Sequence, residues 1–177
     1  HIIRYFLLIF GIAFITNSNI TFDSKEENTS KETITATQYS HEELLFLNNK
    51  FTAFKEALAF KESQGKYRAI NTLGYLGKYQ FGITTLDRFK IKNTQDFLQN
   101  PALQENAFLA LCSVNKWILR KDIRRKVGKT INGILITESG IIAAAHLSGA
   151  GNVKKYLRSN GNYNLSDADG STIQYYM

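Results

Sequence analysis

The chain has 177 residues, a net charge of +7, one proline and one cysteine. That length supports a proper hydrophobic core in a single domain without staples, and one thiol, Cys112, excludes an internal disulfide. Sparse proline and clustered glycine predict a mainly helical domain with a few special loops, while the basic balance admits nucleic acid, anionic lipid or an anionic wall polymer as partner without choosing among them.

Residues 1–18 carry Arg4 ahead of an apolar run over 5–15. The run is short for a membrane span and reads as a secretory signal, or an uncleaved N-terminal anchor, making transient membrane contact. Thr16 and Ser18 are small residues at the offsets for cleavage after Ser18. The expected location is therefore outside the cytoplasm: periplasm, cell envelope or extracellular. A start at His1 rather than Met reads as a shortened N-terminus. Residues 19–39 are rich in Thr, Ser, Glu and Lys and read as a disordered polar linker.

The folded domain is expected over 40–177. Ser40 and Glu43 fit a capping box. Leu44, Leu47, Phe51, Phe54 and Leu58 follow at alternating spacings of three and four, which is one apolar helix face. Asn48-Asn49 leaves open whether this is one helix or two. Glu62 lies four residues beyond Leu58 on the same face. Desolvation and the negative end of the helix dipole would both favour its protonated form, which is what a general acid near neutral pH requires.

The stretch 60–82 then breaks into a loop with glycines at 65, 74, 77 and 82. Glycine permits positive φ and close approach of chain segments. Tyr67, Asn71, Tyr75, Tyr79 and Gln80 between them offer flat faces and hydrogen bonds of the kind a sugar needs. The loop is expected to form one wall of a carbohydrate cleft.

Helical pattern resumes at Ile83, with Thr94 as a cap and Asn100-Pro101 as a cap followed by proline at the first helical position. From Pro101 the spacing predicts a core face of Leu103, Ala107, Leu111, Val114 and Ile118, with Trp117 packed in the core beside it and Cys112 as a small buried hydrophobe. Arg120, Lys121, Arg124, Arg125, Lys126 and Lys129 read as a solvated face that complements the helix C-terminus. No zinc-finger spacing or aromatic-basic RNA motif accompanies them, so nucleic acid is not an expected partner.

Gly128 is expected to end this helix. Asn132-Gly133 marks a turn, and 134–136 a short strand or extended link. Thr137 should cap an alanine-rich helix that ends near His146, a residue that by itself reads as structural. A tight S-G-A-G break precedes a helix around 153–158. Asp167-Ala168-Asp169-Gly170 resembles part of a calcium loop, but the register puts Leu165 and Tyr176 at ligand positions, so no metal is expected. Ser171 is expected to cap a last helix, inside which the sequence stops.

Two motifs now stand in order. Glu62-Ser63, Ala69, Asn71, Gly74 and Gly77-Lys78-Tyr79-Gln80 resemble the E-S … G-L-M-Q pattern of soluble lytic transglycosylases, members of the lysozyme-like superfamily. Residues 145–153, A-H-L-S-G-A-G-N-V, are similar to that family's A-Y-N-A-G-P-G-x-V. Lys78-Tyr79 stands where the family has Leu-Met, His146 where it has tyrosine, and Leu147 where it has asparagine. The resemblance implies a lysozyme-like helical domain with a small Gly-rich loop or β-hairpin wall beside the cleft. It also implies cleavage of the β-1,4 bond between N-acetylmuramic acid and N-acetylglucosamine in peptidoglycan.

In that reading Glu62 is the acid/base, and Ser63, Tyr67, Asn71, Tyr79, Gln80 and His146 contact substrate. No metal or cofactor is needed, and the protein acts as a monomer on glycan strands. Glycoside cleavage ordinarily uses two carboxyls, whereas the wall offers only Glu62. That suits a lytic transglycosylase. A hydrolytic lysozyme would want a second carboxylate, such as Asp87, Glu105 or Glu138. A non-catalytic wall-binding domain is a third reading.

Overall fold

The computed structural model describes residues 41–166 and 170–177, with side chains from residue 47 onward. The leader, the linker, the Ser40–Glu43 capping box and the acidic stretch 167–169 lie outside the described residues. What is described is mainly helical: α1 (His41–Ser63), α2 (Ile83–Arg88), α3 (Thr94–Gln99), α4 (Pro101–Lys126), α5 (Glu138–Ser148), α6 (Ala150–Arg158) and α7 (Ile173–Tyr176). A two-stranded antiparallel hairpin, β1 (Thr130–Ile131) and β2 (Ile134–Leu135), separates α4 from α5 and turns at Asn132-Gly133.

Capping explains most of the helix starts. The Asn100 side chain accepts from the Leu103 N–H with Pro101 just inside α4, and Thr137 accepts from the Gly140 N–H at the start of α5, both as the sequence suggests. Two caps slip by one residue. Asn93, not Thr94, caps α3, and Thr172, not Ser171, caps α7; each has extended backbone and accepts from the N–H three residues on. Helix α1 runs unbroken through Asn48-Asn49, whose side chains face solvent. Their weak helix propensity costs only a fraction of a kcal/mol each, about 0.7 at most.

Helix α4 runs through the middle of the core and serves two apolar clusters. Leu119 and Ile123 pack with Ile136 and Ile141 and with α6. Ala107 and Phe108 pack with Leu58, Tyr79, Phe81 and Phe97. Its buried face differs from the one the spacing predicts. Gln104, Phe108, Asn115, Leu119 and Asp122 point inward, while Val114 is 45% exposed and Trp117 61% exposed. Trp117 is thus a surface residue, with the Arg120 guanidinium 4.4 Å from its ring. The cause is that two of the inward polar residues have partners inside. The Asp122 carboxylate takes bonds of 3.1 and 3.3 Å from Arg158. The Gln104 amide donates to the carbonyls of Tyr67 and Phe97 and accepts from the Lys78 N–H. Apolar periodicity cannot register a core position filled by a satisfied amide.

Lys78 fixes the Gly-rich wall. Its N–H is held by Gln104 at 2.8 Å and its carbonyl by the Ser63 hydroxyl at 2.7 Å. The ammonium, only 4% of the residue being exposed, donates to Glu56 at 2.8 Å and Glu105 at 2.9 Å. Gly77 lets this happen: at φ +77° and against the Gln104 amide, any side chain there would collide. Glu105 also accepts from Lys55, Tyr67 and Tyr79. Burial alone would raise the Glu105 carboxyl, but these donors outweigh it and hold the pKa at about 2. Burial would likewise lower Lys78, yet its bonds to Glu56, Glu105 and Tyr67 raise it.

A carboxyl whose folded pKa lies near 2, against 4.5 for the free group, adds stability that is complete above about pH 4.5 and is lost as pH falls toward 2. Melting temperature followed by circular dichroism should fall across that window. Glu105→Gln should melt lower at neutral pH and lose much of the fall. An identical acid profile in the variant would remove Glu105 as the cause.

Candidate active site

Glu62 lies in the last turn of α1, half-buried, and its Oε1 accepts from the Tyr176 phenol at 3.3 Å. Tyr176 reaches it because α7 packs on α5, and α7 fits there because Gly140 of α5 leaves room for the backbone carbonyl of Met177; an added Cβ would strike it. Lys61 secures the same junction. Its ammonium lies 3.4 and 3.6 Å from the rings of Tyr175 and Tyr176. Tyr176 is a partner of Glu62 that the sequence did not suggest, since nothing local links two residues 114 positions apart.

The remaining expected site residues divide into wall supports and cleft linings. Ser63 joins the end of α1 to the Lys78 carbonyl and also accepts from the Lys66 N–H at 3.0 Å. The Asn71 side chain accepts from the N–H groups of Leu73 and Tyr75, closing the loop 71–75 on itself. Tyr67 donates to Glu105 at 2.7 Å; burial first, then that bond, push its phenol upward. Tyr79 is wholly buried: its ring stacks on Phe108 with centroids 4.0 Å apart and its hydroxyl donates to Glu105. Tyr79 is therefore corrected from a sugar-stacking residue to a core anchor. An aromatic residue between glycines looks the same in sequence whichever way its ring turns.

Gln80 and His146 line a cleft of about 850 Å³ between the wall, α2, α4 and the α5–α6 junction. Gln80 takes φ +51° and donates its amide to the Gly77 carbonyl at 2.8 Å, while its Oε1 is buried without a partner among the described residues. His146 contacts the Tyr79 carbonyl through Nε2 at 2.6 Å, which makes Nε2 the protonated nitrogen. Edges of Phe81 and Phe108 enclose its ring, and Nδ1 is buried with no partner among the described residues. Burial lowers its pKa and the Tyr79 carbonyl only partly opposes this, which favours the neutral imidazole. Asn115, on the inward face of α4, also lines the cleft. The sequence did carry a signal for it: a polar residue inside the stripe from Phe108 to Leu119.

Among the described residues lining the cleft, Arg88 carries the one formal charge, and Glu62 is not among them. Glu62 stands beside the wall, joined to it through its neighbour Ser63. No group of three His, Cys, Asp or Glu side chains among the described residues is arranged to hold a metal. Cys112 is half-buried, and burial pushes its thiol up to about 12, far from a thiolate nucleophile.

Nitrogen NMR of His146 should show an Nε2-protonated ring that takes up its second proton only at lower pH than a free imidazole does. A ring that charges at the same pH as free imidazole, or at a higher one, would contradict the buried geometry. No family model, curated protein or solved structure matches the chain.

Proposed function

We propose that this chain is a lysozyme-like glycosidase that cleaves the β-1,4 bond between N-acetylmuramic acid and N-acetylglucosamine in peptidoglycan, as a lytic transglycosylase. The observation that carries the reading is Glu62: a half-buried carboxyl at a helix end, oriented by a phenol and tied through Ser63 to a Gly-rich wall. The two sequence motifs supply the substrate class. The cleft, with amides, an imidazole and Thr84 and Thr85 beside Tyr75, has the mixed polar and flat lining that suits sugar rings.

In this mechanism protonated Glu62 gives its proton to the bridging oxygen as the C1–O bond breaks. The acetamide of the muramic residue supports the developing cation. The resulting Glu62 carboxylate removes a proton from the muramic 6-hydroxyl, whose oxygen bonds to C1 and closes an anhydro ring. Glu62 ends protonated and no water is consumed. Tyr176 positions the carboxyl as it passes between its two forms.

The candidates for a second carboxylate support this single-carboxyl route over hydrolysis. Glu105 is committed to two lysines and two tyrosines. Asp87 pairs with Lys92 at 2.7 Å, and Glu138 with Lys116 at 2.6 Å at the start of α5. A binding-only reading rests on a different observation, the position of Glu62 outside the cleft lining.

Mass analysis of digested sacculi decides among the three. Anhydromuramic ends are expected, and reducing ends would mean a lysozyme. Glu62→Gln should lower release by at least about a thousandfold, a general acid–base contribution of the usual size together with loss of the return proton. Sedimentation with sacculi should persist in that variant. Wild-type protein that sediments but releases nothing would establish binding alone. Tyr176→Phe should reduce turnover by roughly tenfold, one lost hydrogen bond to a charged group, with KM little changed.

A further inference from the structure

The exposed face of the second half of α4 is organised around Trp117. Successive residues on a helix advance by about 100°, so Arg120, Lys121 and Arg124 fall on either side of Trp117, with Val114 and Arg125 further round one flank. All six are exposed. Trp117 is 61% exposed and Val114 45%, on a helix whose opposite face buries Phe108, Asn115, Leu119 and Asp122. Neighbouring acids do not neutralise this ridge. Asp122 is buried against Arg158, and Glu138 pairs with Lys116. Four cations therefore surround an indole and a valine that are about half exposed, the indole covered on the ridge by the Arg120 guanidinium.

We propose that this ridge docks the protein on an anionic phospholipid surface. Charge alone would serve any polyanion. The apolar components choose between them, because an indole and a valine gain nothing from a hydrated phosphate chain. At a bilayer the indole settles at the headgroup level while arginine and lysine side chains reach the phosphates. Arg120, stacked 4.4 Å over the Trp117 ring, can follow it into the interface with its charge directed outward. Contact is at the surface only: among the described residues, no helix is long and apolar enough to cross a membrane. Val114 belongs to the ridge and to the cleft lining alike, so docking would bring the cleft close to the membrane.

Trp117 is the chain's one tryptophan, so its emission reports this face directly. The full chain should be mixed with vesicles of phosphatidylcholine, with and without phosphatidylglycerol. Only the anionic vesicles should shift emission to the blue, and lipids brominated in the acyl chain should quench it. The apolar run over 5–15 is present with either vesicle, so the quenching by anionic vesicles is read against that by neutral ones.

Arg120→Ser, Lys121→Ser and Arg124→Ser together should weaken the emission-detected binding roughly a hundredfold. Added salt should weaken it further. Trp117→Ala, followed by sedimentation at limiting lipid and scored as the excess bound to anionic over neutral vesicles, should lose roughly tenfold. Thermal melts of both variants should remain cooperative and lie within a few degrees of the wild type, since every changed side chain is exposed and only the weak helix-terminus charge effect is lost. Emission left unshifted by anionic vesicles overturns the proposal. So does a triple variant that binds like the wild type, or binding to soluble polyphosphate as tight as to the vesicles.

Discussion

The Gly-rich wall is tied to the helices through one residue, Lys78. Its N–H is held by the Gln104 amide, its carbonyl by the Ser63 hydroxyl, and its ammonium by two glutamates. A buried ammonium costs several kcal/mol unless paired in good geometry, about 3–5 when one partner is removed. These four contacts reach α4 through Gln104 and Glu105 and α1 through Ser63 and Glu56. The loop is therefore not a flap over a finished core. It is joined to both long helices by bonds that no glycine-rich segment could form alone, and Gly77 is the point where the backbone comes close enough to form them.

That attachment has a consequence for the polar residues of the wall. Tyr67, Asn71, Ser63 and Tyr79 serve the loop's own shape, while the buried or half-buried polar groups that line the cleft include Gln80, His146 and Asn115. Two of these hold a buried nitrogen or oxygen with no partner among the described residues. Buried polar atoms are nearly always satisfied, so such pairs mark places where stability gives way to another demand. Glu62 belongs to a neighbouring junction, where α1, α7 and the wall meet.

Helical class, the caps at Asn100 and Thr137 and the turn at Asn132-Gly133 could be read from sequence because each rests on local chemistry. Position i speaks to i+3, and the letters suffice. The face of α4 could not be read in this way. Gln104 and Asp122 are buried because residues 26 and 36 positions away, Lys78 and Arg158, complete them. Trp117 turns outward for the matching reason, since the inward positions were already filled. The same rule separates Tyr79 from Gln80. Adjacent residues in a tight loop look alike in composition, and only the tertiary arrangement sends one ring into the core and the neighbouring amide to the cleft.

The bond between Tyr176 and Glu62 spans 114 positions. A ribosome delivers α1, the wall and the two long helices well before it delivers α7. Until residues 173–177 emerge and settle against Gly140, the carboxyl lacks its phenol. In the proposed reading, a partly synthesised chain would carry every other piece of the machinery with its acid not yet aimed. Synthesis order would then be a safeguard for a producer whose own wall is the substrate.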